Sequence, residues 1–167
     1  MLIAIYVVLS IWTIRTANFK VTLEAFPILV AGLLSGPIDG LIVGGVGSFV
    51  YQLLFSGYGL TATTILWILP HALSGLLAGL YAKSCHYELD FKKTVFICLI
   101  SAWLVTALNL LALYVDSRLY GYYSKALVFG SLLMRIITGT ILAIIYAAIM
   151  PRLLAHLKTI IRNNNRQ

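Results

Sequence analysis

Of 167 residues, 61% are apolar and only 10% are charged, and the mean hydropathy is +0.98. A water-soluble domain carries about 25% charged residues, so this composition excludes one: there is too little polar surface to cover the chain in water. The net charge of +7 reads, in so apolar a chain, as topology and lipid contact and not as nucleic-acid binding.

In lipid the backbone must satisfy its own hydrogen bonds, which leaves helices or closed barrels. The apolar runs are long and do not alternate, so the expected fold is an all-α integral membrane protein, one transmembrane domain over residues 1–167. Six spans are predicted in chain order: Met1–Ile14, Leu23–Ser35, Ile38–Phe55, Ile65–Ala82, Thr94–Val115 and Leu127–Leu154. The first two fall short of the roughly 17–25 residues a crossing needs; the second is tilted or partly re-entrant. Met1–Ile14 lacks the basic leader and small-residue cleavage site of a signal peptide.

The connections fit those limits. Ser35-Gly36-Pro37-Ile38-Asp39-Gly40 reads as a tight turn between helices, and Ser56-Gly57-Tyr58-Gly59 ends the third span. Lys83–Lys93 and Asp116–Ser124 are polar connections, Pro151-Arg152 marks the exit from the last span, and Asn163–Gln167 is a polar tail. An even number of spans puts both termini on one side. That side collects Lys83, Lys92, Lys93, Arg152, Lys158, Arg162 and Arg166, against Arg15, Lys20, Arg118 and Lys125 opposite. The excess of lysine and arginine predicts cytoplasmic N- and C-termini. Cys85 and Cys98 are too few and too badly placed for a disulfide framework.

Polar groups at membrane depth are expensive and commonly mark a cavity or path. Arg135 stands within Leu132–Ile137, where it could snorkel, pair with Asp116, or hold a substrate carboxylate. Asn109 could bond a neighbouring helix or a ligand. His71 follows Pro70, whose missing donor leaves carbonyls that the imidazole could satisfy. Trp67 lies one turn earlier on the same face and could wall a pocket with His71 or anchor at the interface. The loops on the side away from the termini bring together Arg15, Asn18 and Lys20, then Tyr58, Thr61, Thr63 and Thr64, then Tyr114, Asp116, Tyr120, Tyr122 and Tyr123. An aromatic belt explains half of the tyrosines. The mixture of cations, amide, hydroxyls and rings suits a pocket for a small, flat anion. The predicted substrate-binding residues are therefore Arg15, Asn18, Lys20, Tyr58, Thr64, Trp67, His71, Asn109, Tyr114, Tyr122 and Arg135.

Gly32, Gly36, Gly40, Gly44, Gly45 and Gly47, with Gly75 and Gly79 further on, form small-x-x-x-small patterns. These permit close packing within the protein or a docking surface for a membrane partner. No phosphate-cradling Walker motif is present, no catalytic or metal-ligand spacing stands out, no cofactor is expected, and every carboxylate lies near a loop. A small intramembrane enzyme using His71 with Asn109 or Arg135, and a structural membrane-assembly protein, are the competing readings.

The stretch Phe26-Pro27-Ile28-Leu29-Val30-Ala31-Gly32-Leu33-Leu34-Ser35-Gly36-Pro37-Ile38-Asp39-Gly40 resembles the Phe-x-Pro-Ile-x-Leu-x-Gly-x-x-Phe-Gly-Pro-x-x-Gly segment of substrate-binding (S) components of energy-coupling-factor (ECF) vitamin transporters. Ala72–Leu80 resembles that family's fourth-helix Ser-Ala-x-x-Gly-x-x-x-Gly pattern. The likeness extends over nearly the whole chain and is nearest to the folate-type group. It implies a cell-membrane subunit without enzymatic activity that binds a vitamin with high affinity from outside. The subunit then works with a transmembrane coupling subunit and two cytoplasmic ATPases. By resemblance Ala4 and Val8 occupy the first helix's Ala-x-x-x-Ala docking motif, with Val8 a departure, and Gly32, Gly36, Gly40 and Gly44 are expected to join the docking surface. The chain also departs from folate-type members at Gly47-Ser48-Phe49, where they often carry Asp, and at Thr61–Trp67, where they usually read Pro-Gly-Phe-Thr-Leu-Ser. Folate is the expected substrate, with pantothenate the alternative.

Overall fold

The computed structural model describes residues 1–12, 14–15, 20–21, 23–55, 60–130 and 132–164. Their order is α1 (Leu2–Ile11), a hairpin of β1 (Ile14–Arg15) and β2 (Lys20–Val21), α2 (Ala25–Ser35), α3 (Pro37–Phe55), α4 (Thr64–Ser84), α5 (Phe91–Leu119), α6 (Lys125–Phe129) and α7 (Leu132–Asn164). The hairpin is antiparallel, with Ile14 opposite Val21 and Arg15 opposite Lys20. Apart from it, the described residues form a helical bundle, as the composition requires.

Four segments are long and apolar enough to cross a membrane: Pro37–Phe55, Thr64–Ser84, Phe91–Leu119 and Lys125–Leu157. The two short ones remain short. At 1.5 Å per residue, α1 and α2 each rise only about 15 Å, half a hydrocarbon core. They stay stable at that length because neighbours surround them. Every residue of α2 from Pro27 to Leu33 is buried, and α1, α3, α4 and α7 all pack on it. A helix apolar on all sides belongs inside a protein or a bilayer; α2 is at the centre of the bundle. Leu29, Val30 and Leu33 join Ala78, Ala82, Ile97, Cys98, Ala143, Tyr146, Ala147, Met150 and Leu154 in the main core. The outer faces of the long helices instead expose Ile141, Ile144, Ile145 and Ile149 of α7, with Leu111 and Phe96 of α5, the surface expected of a lipid-facing helix.

Glycines set the closeness of α2, α3 and α4. A Cβ on Gly44 would strike the carbonyl of His71, one on Gly40 that of Gly75, and one on Gly79 the backbone of Pro37. At Gly32 a Cβ would stand 2.7 Å from the Gly75 oxygen. Of the two readings of this stripe, close packing within the chain is the one observed. Gly32, Gly36, Gly40 and Gly44 are all buried. Gly36 also ends α2 with φ +112°, a left-handed conformation that favours glycine, and thereby makes the tight turn into α3.

Four boundaries differ from expectation. α1 stops at Ile11, and Ile14–Arg15 is extended because it pairs with Lys20–Val21. The last predicted span is two helices, α6 and α7, parted at Gly130, a residue whose backbone freedom weakens a helix. Pro151 does not end α7, which continues to Asn164. The loss of one backbone donor at Pro151 is absorbed by packing, since Met150 and Leu154 on either side are buried in the core. α5 likewise begins earlier than expected, at Phe91, with Asp90 in the extended conformation of an N-cap and its carbonyl accepting from Thr94 N and Oγ1. Lys92 and Lys93 therefore lie in the first turn of α5.

Candidate functional site

The hairpin, the turn before α4 and the loop after α5 gather at one end of the bundle, and two side-chain clusters form its rim. In the first, Thr61 N donates to Thr64 Oγ1 at 2.8 Å, and the Thr61 hydroxyl lies 3.2 Å from both Thr63 and Thr64 hydroxyls. Thr63 and Tyr122 both donate to the Asp116 carboxylate. Asp116 thus ties the start of α4 to the end of α5 and to the tyrosine loop. In the second cluster, the Arg118 guanidinium sits 4.0 Å over the Tyr123 ring and 5.5 Å from the Tyr114 ring, and these two rings meet edge to face at 5.6 Å. A guanidinium on aromatic faces keeps its charge while burying its plane.

A second tier lies deeper. α2 runs parallel to α4, and Glu24, immediately before α2, stands beside His71: Oε1 to Nε2 is 3.9 Å. Since His71 is seven residues into α4, the first two turns of α4 rise about 10 Å above the start of α2. Those turns carry Thr64 and Trp67. Tyr6 of α1 packs edge-on against His71 with ring centroids 5.8 Å apart. Tyr6 in turn fills the space that Gly47 leaves open, because a Cβ there would be 2.6 Å from its ring. The departure at Gly47-Ser48-Phe49 therefore has a local reason: Gly47 makes room for the Tyr6 ring, and Ser48 donates to the Gly45 carbonyl.

The antiparallel partners of α4 and α7 extend this tier. The Thr63–Asp116 bond sets α4 against α5, and Trp103 Nε1 donating to Thr140 Oγ1 at 3.2 Å sets α5 against α7. Counting along the helices from these bonds places His71, Asn109 and Arg135 at about the same depth. Glu24, His71, Asn109 and Arg135, with Tyr6, thus bring polar groups from five parts of the chain to one level. His71 and Glu24 are largely buried, with side-chain exposures of 12% and 13%, and Asn109 and Arg135 are half-buried.

The expected site residues therefore fall into groups. Thr64 and Tyr122 meet through Thr61, Thr63 and Asp116, while Tyr114 belongs with Arg118 and Tyr123. Trp67 and His71 share the α4 face above and beside Glu24, and Asn109 and Arg135 share their depth. Arg15 and Lys20 are opposite one another in the hairpin backbone; their side chains, with Asn18 and Tyr58, lie outside the described residues. Asp116, expected as a partner for Arg135, bonds Thr63 and Tyr122. Glu24, Tyr6 and Arg118 were absent from the expected set. Glu24 stood at the start of the second predicted span, near a loop, and only the short length of α2 hints that it lies at depth.

Two further features complete the surroundings. A groove of about 320 Å³ between α5 and α6 is lined by Ala107, Leu110, Leu111, Tyr114, Val128 and Phe129. It is almost wholly apolar, without the convergent polar groups that fix a ligand's orientation. Ala4 and Val8 are exposed on one face of α1 together with Ile5 and Ile11, as their i, i+4 spacing requires. No group of three or more potential metal ligands occurs among the described residues.

Comparisons with known proteins agree with this architecture. A family model described as ECF transporter, substrate-specific component, matches residues 1–154. Among solved structures, the S component of a bacterial ECF transporter aligns at 25% identity and a TM-score of 0.67, covering 95% of this chain and 94% of that one. FolT bound with folic acid aligns at 24% identity and a TM-score of 0.64, covering 89% and 85%. The S component for biotin from an ECF-type ABC transporter aligns at 19% identity and 0.63, covering 91% and 86%. The last two likenesses show the fold. A search of curated proteins finds no match. With a helical bundle of four long spans and two short apolar helices, and a family match over all but its last residues, the chain belongs to the substrate-specific components of ECF transporters.

Proposed function

We propose that this chain captures an anionic vitamin, folate first among the candidates, from the outer face of a prokaryotic cell membrane and delivers it through a coupling subunit powered by two cytoplasmic ATPases. The observation that carries this reading is the two-tier arrangement at one end of the bundle. A rim of threonine, tyrosine and arginine stands over a deeper layer drawn from five parts of the chain. Such a layer supplies the few placed polar groups that orient a ligand inside an otherwise apolar pocket. Arginines at both levels, Arg118 and Arg135, suit carboxylates, and the rings of Tyr114, Tyr123, Trp67 and Tyr6 suit a flat heterocycle. Folate has both features.

The lysine and arginine bias puts the termini in the cytoplasm and the rim outside. On the docking side, the exposed apolar face of α1 with Ala4 and Val8 is the surface offered to the coupling subunit, since the buried glycines are occupied within the chain. His71 meets Tyr6 and Glu24, an arrangement that favours a pocket wall over an acid–base group working with Asn109 or Arg135.

The test is calorimetric titration of the purified protein with folate, pantothenate and biotin, alongside mass spectrometry of whatever small molecule survives purification. Submicromolar folate binding with at least 100-fold weaker binding of the other two is expected. Tight pantothenate or biotin binding without folate binding would overturn the substrate assignment.

A further inference from the structure

We infer that the groove between α5 and α6 binds one anionic phospholipid from the leaflet on the rim side of the membrane. An acyl chain lies in the groove and the phosphate sits at its mouth, between Arg118 and Lys125. This goes beyond the vitamin site and stands whichever vitamin that site takes. The sequence builds both walls in the same way. On α5, Ala107, Leu110, Leu111, Tyr114 and Arg118 recur at three- and four-residue spacing and so form one stripe along the helix. On α6, Lys125 precedes Val128 and Phe129 by three and four residues and shares their face. Each stripe is apolar toward the middle of the membrane and ends in a cation. Arg118 is next to the last residue of α5, and Lys125 is the first of α6. Only residues 120–124 separate the two helices, so both cations stand at the same end.

The groove holds about 320 Å³. Its α5 wall, from Ala107 to Tyr114, rises about 10 Å. That depth starts at the interface and stays within one leaflet of a hydrocarbon core about 30 Å thick. Leu111 and Phe129 on its walls are 54% and 50% exposed, so the groove opens on the lipid-facing surface. A slot this apolar offers a polar ligand nothing to bond. A hydrocarbon chain needs nothing.

Charge at the mouth separates a phospholipid from other apolar occupants. The Arg118 guanidinium lies 4.0 Å over the Tyr123 ring and 5.5 Å from that of Tyr114, which closes the outer end of the groove. Ring contacts cover a guanidinium's face and use none of its five N–H donors. Neither Arg118 nor Lys125 makes an ion pair or hydrogen bond among the described residues. The nearest carboxylate in sequence, Asp116, is held by Thr63 and Tyr122. Two uncompensated cations above an apolar slot match a phosphodiester above its acyl chain. Arginine grips the phosphate with two prongs and lysine adds a compact charge. An apolar helix from a partner subunit would fill the slot and leave both cations unmatched.

The test equilibrates the purified protein in detergent with equal amounts of dioleoyl phosphatidylglycerol and dioleoyl phosphatidylcholine, which share their chains and differ in head-group charge. Retained lipid is counted by native mass spectrometry. Wild type should keep one phosphatidylglycerol with a preference on the order of 10-fold, since each basic residue near a lipid phosphate is worth about fivefold. Lys125→Gln should cut that preference about fivefold. Leu111→Trp, which fills the groove, should lower retention of both lipids, while Ile144→Trp on the exposed face of α7 should change neither. Equal retention of the two lipids by wild type overturns the proposal, and that result needs no variant to fold. A preference untouched by Lys125→Gln overturns it as well. Loss of lipid in Ile144→Trp as large as in Leu111→Trp would mean a general lipid shell and no site. Release of the retained lipid on saturation with folate would give the groove to the vitamin, which also overturns the proposal.

Discussion

Arg135→Ala is expected to weaken folate binding by about 2–5 kcal/mol, or roughly 30-fold to several thousand-fold in Kd. The residue begins the second turn of α7, half-buried, at the depth shared by His71 and Asn109. If its guanidinium holds a ligand carboxylate there, truncation leaves that carboxylate desolvated and unmatched, which accounts for most of the loss. Arg135→Lys keeps the charge but not the planar two-pronged geometry, so it should recover only part of the affinity. The comparison to make is with a ligand fragment that retains the pteridine and lacks the glutamyl carboxylates. Its binding should be nearly insensitive to Arg135→Ala. An unchanged folate affinity would instead return Arg135 to a snorkelling role at the membrane interface.

Gly75→Ala should destabilise the bundle more than any other single methyl group added among the described glycines of α4. A Cβ at Gly75 would collide with the Gly40 carbonyl and come within 2.9 Å of Ile28 Cγ2. Both α2 and α3 would have to move, and neither can do so cheaply because the Gly40 contact is backbone to backbone. Overpacking of this kind costs about 1–3 kcal/mol and occasionally more, against a helix-propensity gain of about 1 kcal/mol for replacing glycine by alanine. A net loss of about 1–2 kcal/mol is expected, towards the upper end because the clash is with backbone, read as a lower thermal midpoint in detergent. Gly45→Ala is the internal control. There a Cβ would lie 3.6 Å from Ala72 Cβ, an ordinary contact, so the propensity gain should stand and the midpoint should hold or rise. Equal effects at the two positions would show that the glycine packing of α3 on α4 is not what holds these helices together.

Much of the architecture was legible in the sequence because its signals are local. Span limits follow from apolar length and from Gly36-Pro37, and the ends of α3 and α4 fall within two residues of expectation. The failures also have physical causes. Hydropathy does not distinguish Ile14 as the end of a helix from Ile14 as the start of a hairpin, since pairing with Val21 is a contact across sequence. Nor does it see the break at Gly130, because α6 and α7 together are one apolar run. The last helix also runs past the expected Leu154 limit, through Pro151 to Asn164, because Met150 and Leu154 on either side of the proline are buried in the core.

The site was legible in its composition and not in its grouping. Thr64, Tyr114 and Tyr122 could be marked as rim residues from loop position alone. That Asp116 joins Thr63 to Tyr122, and not to Arg135, depends on the phase of α5 relative to α4. Glu24 was missed for a related reason: its depth is set by the offset between a short central helix and a longer neighbour, which no single segment of sequence encodes. The glycine stripe gave a true signal of close approach, but sequence could not say whether the approaching backbone was the chain's own.

The claim on which all of this rests is that the chain binds a vitamin and relies on other subunits for the energy of transport. Its most direct test is uptake of labelled folate into proteoliposomes with ATP enclosed, comparing this protein alone with the protein co-reconstituted with a coupling subunit and its two ATPases. Accumulation against a gradient only in the complete assembly, and only while ATP is hydrolysed, is the predicted result. Concentrative uptake by this chain alone would contradict the account.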